Sequence, residues 1–68
     1  MSAKSAAIQS TTYDPMTRTL GVTYSHGATY EYHNVPTHVN AALERAESKG
    51  AFLVKHVKGK YRTTLVTK

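Results

Sequence analysis

Leu20, Val22 and Tyr24 alternate with Thr19, Gly21 and Thr23, and a few residues later Tyr30 and Tyr32 flank Glu31. Period-two alternation marks strands with one buried face. Ser25-His26-Gly27 lies between the two runs, and the length of that loop decides their register. A two-residue loop at His26-Gly27 places Val22 opposite Glu31. A three-residue loop ending at Gly27 pairs Tyr24 with Ala28, Val22 with Tyr30 and Leu20 with Tyr32. Only the second gathers the large apolar groups on one face, because a one-residue slip turns every side chain over. Gly27 takes the left-handed conformation that this loop needs.

The rest of the chain is placed around that hairpin. Ile8 to Tyr13 gives a weaker strand signal, and Asp14-Pro15-Met16-Thr17 has the residue order of a type I turn. Residues 8 to 33 therefore read as a three-stranded antiparallel meander with one apolar face. A helix begins near Pro36, whose missing N–H costs nothing in a first turn. Val39, Ala42, Leu43 and Ala46 form its apolar stripe at i, i+3, i+4 and i+7. Ser48 is an N-cap for a second, short helix, in which Gly50, Leu53, Val54 and Val57 repeat the same spacing. Gly59 ends it. Thr63 to Val66 forms either a last strand or a loose tail. The expected fold class is α+β, a three-stranded antiparallel β-meander packed against two short C-terminal helices. The expected division is a frayed segment 1–6, one domain over 7–62, and a tail or short extra strand over 63–68.

At 68 residues and without cysteine, the chain makes one small domain that neither disulfides nor a cysteine-based zinc site can reinforce. Charge is unevenly placed. The acids Asp14, Glu31, Glu44 and Glu47 all precede residue 48, whereas Lys49, Lys55, Lys58, Lys60, Arg62 and Lys68 follow it, within a net charge of +5. A segregated basic end favours nucleic acid or an acidic protein surface as partner, against the plainer reading of a solvated basic tail. No apolar run approaches the ~20 residues of a membrane span, and no apolar core of a signal peptide follows Lys4, so a cytoplasmic protein is expected.

Enzyme signatures are missing: no P-loop, Rossmann glycines, nucleophile elbow or helical His-Glu-x-x-His. No catalytic residue, cofactor or metal ligand is assigned. His26, His33, His38 and His56 are scattered, with His26 in a turn and His33 at a strand end. Glu44 and Glu47 lie on a solvated helix face beside Arg45. Tyr30 and Tyr32 read either as a stacking platform for bases or as core, and the register argument favours core. Phe52 departs from the apolar stripe of its helix and falls on the side of Lys55 and His56. There it either stacks a base while lysines hold phosphates or plugs a gap against the first helix. The candidate nucleic-acid-binding residues are Lys49, Phe52, Lys55, His56, Lys58, Lys60 and Arg62, with the Gly59 backbone N–H as a further approach for phosphate.

The ordered set Tyr13-Asp14-Pro15, Leu20-x-Val22, Gly27, Tyr30-x-Tyr32, Val35-Pro36, Ala42-Leu43, Ser48-Lys49-Gly50-x-Phe52, Lys55-His56 and Gly59-Lys60-Tyr61 resembles the KTSC domain pattern over residues 8 to 61. That family is known from the C-termini of some lysyl-tRNA synthetases and as stand-alone bacterial and phage proteins. The chain departs from it at Leu53-Val54, where relatives often carry another aromatic and a polar residue. The resemblance implies a non-catalytic module whose partner is RNA, tRNA included, or another nucleic acid. The alternative is a protein-interaction module, such as a phage or prophage factor that binds a host protein.

Overall fold

The computed structural model describes residues 8–67. The segment 1–6, expected to fray, lies outside them. Four strands, β1 (Ile8–Asp14), β2 (Thr19–Tyr24), β3 (Thr29–Tyr32) and β4 (Thr63–Thr67), form one antiparallel sheet in the order β1-β2-β3-β4. The register of the central hairpin is the one that the apolar pattern demands. Leu20 pairs with Tyr32 and Val22 with Tyr30, and the Tyr24 N–H donates to Ala28 O at 2.8 Å. Gly27 sits at φ +102° in the loop.

The expected three-stranded meander gains a fourth strand. Thr63 to Thr67 pairs with β3, placing Tyr30 opposite Leu65 and Tyr32 opposite Thr63. The segment is short but rich in β-branched residues, and the outer edge of β3 presents backbone donors and acceptors that need partners. Of the two readings of this segment, strand and loose tail, the strand is the one formed. His33 marks the junction: its N–H donates to Arg62 O at 2.9 Å, and its Nε2 lies 2.9 Å from Thr64 Oγ1.

Helix α1 (Thr37–Arg45) starts one residue after Pro36, which occupies the N-cap with extended backbone. Two bonds hold its entrance. Val35 N–H donates to Arg18 O at 2.9 Å, and the Tyr13 hydroxyl donates to Val35 O at 2.6 Å. Helix α2 (Lys49–Phe52) is capped as its sequence suggests, with Ser48 Oγ accepting from the Ala51 N–H at 3.2 Å. The chain then widens into a π turn, Leu53–Val57, whose closing bond runs from Lys58 N–H to Leu53 O at 2.7 Å.

That π turn corrects one expectation. Gly50, Leu53 and Val57 are buried, but Val54 is 52% exposed. Bonds from i to i+5 wind the backbone more slowly than α-helical bonds, so the 100° spacing that placed Val54 on the stripe no longer applies. Gly59, at φ +79°, turns the chain toward β4.

The core lies between the sheet and the helical segments. Leu20, Val22, Tyr24 and Tyr32 from the sheet meet Val35, Leu43, Leu53 and Val57. Tyr24, at the hairpin end, is buried, whereas Tyr30, expected as core, is only partly buried and packs on its margin. The opposite sheet face follows the alternate register Thr12, Gly21, Glu31 and Thr64. It is polar, and Thr23 and Thr29 touch there through their hydroxyls at 3.1 Å.

Candidate nucleic-acid interface

The basic segment runs from α2 through the π turn into β4. Lys55, His56, Lys58, Lys60 and Arg62 are exposed, and Lys49 is half-buried at the start of α2. Phe52 is half-buried and packs against the core. It also keeps the neighbour that the functional alternative needs. Its ring lies 4.6 Å from that of His56, tilted by 40°.

A second feature was not assigned as a site from the sequence. Tyr24, His26, Tyr30, Tyr32, Lys58, Gly59 and Thr63 line an open cleft of about 250 Å³. It forms because the helical segment ends at Val57 and the chain turns at Gly59 toward β4, which leaves Lys58 and Gly59 beside Tyr24 of β2 and Tyr30 and Tyr32 of β3. The histidine ring is parallel to that of Tyr24, at 5.6 Å and within 2°. Tyr30 meets Tyr24 edge-on, also at 5.6 Å with an interplanar angle of 78°. Both arrangements are favourable for rings carrying a quadrupole.

Two of the lining residues, Tyr24 and Tyr32, are buried. Tyr24 and Tyr32 hydroxyls lie 2.9 Å apart. Burial pushes the Tyr32 phenol well above its ordinary range, and the hydrogen bond with Tyr24 and repulsion from Tyr24 and Tyr30 in their ionised forms add to the shift. Tyr32 therefore stays neutral. A hydroxyl has one donor and two acceptor positions, so the bonded pair retains both an O–H and lone pairs for a third group.

Of the residues picked from the sequence, Lys58 lines this cleft, while Lys49, Phe52, Lys55, His56, Lys60 and Arg62 are not among its lining residues. His26 was read as a plain turn residue. The signal that finds it is the three-residue loop itself, which holds a ring next to Tyr24 at the end of the apolar face. A groove on the opposite sheet face is lined by Thr12, Tyr13, Asp14, Thr17, Thr19, Gly21 and Glu31. It carries two carboxylates and no cation, which suits it poorly to phosphate. Among the described residues, no three of His, Asp or Glu gather as metal ligands. No helix there is long and apolar enough to cross a membrane.

Comparison with known proteins bears on this geometry. The KTSC domain family model matches residues 4–61. A lysine–tRNA ligase of Nostoc sp. PCC 7120 is 40% identical over 50 residues, covering 74% of this chain, and that of Nostoc punctiforme is 37% identical over 57 residues, covering 84%. The chain spans only about a tenth of those ligases, 9% and 10% respectively, so the match carries no ligase activity with it. A protein of Tsukamurella paurometabola is 41% identical over 59 residues, covering 87% of this chain and 88% of its own length. The crystal structure of a KTSC domain protein from Yersinia pestis superposes with a TM-score of 0.83 at 33% identity, over 97% of this chain and 93% of that one. With its family pattern matched over most of its length and its fold shared with a solved member, the chain belongs to the KTSC domain family.

Proposed function

We propose that the chain is a non-catalytic RNA-binding module that uses the basic segment from Lys49 to Arg62. The observation that carries this reading is the exposure of Lys55, Lys58, Lys60 and Arg62 in an acid-free stretch that also presents the Phe52–His56 ring pair. Lysines in such a setting hold phosphates, and rings beside them stack bases. The kinship with lysine–tRNA ligases, proteins that handle tRNA by name, makes RNA the favoured polymer. Neutralising about three phosphates of a single strand gives a slope near −2 in log affinity against log salt. Titrating labelled tRNA and a single-stranded RNA at two salt concentrations tests the reading. Absence of binding at low salt rejects it, and a flat salt response removes the basic segment from it.

A protein-interaction role rests on another surface. Leu65 and Val66, each 51% exposed, lie on β4 at the sheet edge. An extended partner segment adding to that edge is a recurrent mode of recognition. A protein retained after nuclease treatment, and lost when both residues are changed to threonine, supports this second reading.

A further inference from the structure

We infer that the cleft between β2, β3 and the Lys58-Gly59 turn is a pocket for one unpaired nucleobase, with the attached phosphate held by Lys58. This rests on the nucleic-acid reading above and assigns it a location and a preference for single strands.

Size comes first. At about 250 Å³, the cleft is smaller than the roughly 300–1,000 Å³ of pockets that enclose drug-sized ligands. It suits a single planar ring. Its walls are aromatic: His26 is exposed at the rim, and Tyr30 is half-buried beside it. An aromatic face stacks any base, because every base has a π-face.

Polarity comes second. Tyr24 and Tyr32 line the cleft, and their bonded hydroxyl pair keeps one O–H and lone pairs for the edge of a base that reaches it. Tyr32 remains a neutral phenol, so no negative charge opposes a nucleotide there. Lys58 is exposed on the rim and supplies the cation. Gly59 beside it lines the cleft and has open space where a side chain would stand.

Geometry then decides between strand types. In a duplex the bases are stacked on one another, so only an unpaired nucleotide can place its ring in the cleft. The opposite groove, with Asp14 and Glu31, offers neither a cation nor an exposed ring pair.

The test uses the full chain and a 12-nucleotide single-stranded RNA carrying 2-aminopurine at one position, with a duplex of the same sequence and free 2-aminopurine ribonucleotide as separate arms. Wild type is expected to quench the probe in the single strand and to bind the duplex more weakly. His26→Ala, in an exposed turn, should weaken single-strand binding about five- to 100-fold and abolish the quench without changing the salt slope. Lys58→Gln should lower the slope by about 0.7. Quenching of the free nucleotide at the same concentrations would assign the pocket to small nucleotides and overturn the strand reading. If wild type binds RNA with the expected salt slope but His26→Ala binds and quenches equally, the cleft is not the base site and the basic segment alone stands. If no RNA binds at low salt, both readings fall together.

Discussion

Tyr13, on the first strand, donates its hydroxyl hydrogen to the carbonyl of Val35, 2.6 Å away, immediately before the proline that opens α1. This bond joins two segments 22 residues apart in sequence. Val35 itself is fully buried, so its carbonyl is poorly placed to find another partner. Tyr13→Phe should destabilise the domain by about 1–3 kcal/mol, the cost of leaving a buried acceptor unpaired. For a chain of this size, that lowers the melting temperature by roughly 4–8 °C per kcal/mol. A thermal melt showing no change would mean that the helix entrance is held by Val35 N–H and Arg18 O alone.

Tyr32 links stability to alkaline pH. Burial, first, and its bond to Tyr24 raise its pKa in the folded state above the unfolded value of about 10. The unfolded chain therefore loses this proton more readily. The resulting stability is fully present below about pH 10 and is lost as pH rises from there through the folded pKa. Denaturant titrations should show a plateau to about pH 10 and then a fall approaching 1.4 kcal/mol per pH unit from this group. Tyr32→Phe should reduce that alkaline slope.

Deleting residues 63–68 should unfold the domain or lower its melting point sharply. β3 has only four residues, and β4 supplies its outer hydrogen-bond partners. By contrast, Leu65→Thr and Val66→Thr change exposed side chains on a retained strand, so each should shift stability by no more than about 0.5 kcal/mol. Circular dichroism of the truncated and substituted chains separates backbone pairing from side-chain burial.

Gly59→Ala should cost about 1–2 kcal/mol, since φ +79° is a left-handed conformation that a Cβ disfavours. The cost is one of backbone strain, as no atom lies within 4 Å of the place a Cβ would take. Gly59→Asn should cost less, because asparagine tolerates this region better. Equal melting points for wild type and Gly59→Ala would show that the turn relaxes.

The central hairpin was legible because burying Leu20, Val22, Tyr30 and Tyr32 together admits one register. Ser48 was legible as a cap because a short hydroxyl before a helix has a local use. β4 was less so: five residues near the chain end pair with a strand more than 30 positions away, and no local pattern reports that pairing. Val54 misled for a different reason. Helical periodicity assumes one winding throughout, and the chain changes winding at Leu53. The cations were visible as a charge run, but the cleft was not, since His26 and Lys58 come together only when two turns are folded side by side.

The π turn has a consequence for insertions and deletions. A turn closed by an i to i+5 bond accommodates one more residue than its α-helical counterpart. In an alignment, Leu53–Val57 should therefore behave as the site of a one-residue length polymorphism. A member of the family lacking one residue there could wind as ordinary α-helix and keep its buried positions. Its lysine at the end of the helix would then keep its place after the last buried position and its phase toward the cleft. The extra residue would be absorbed inside the turn, leaving the charge at the rim unchanged.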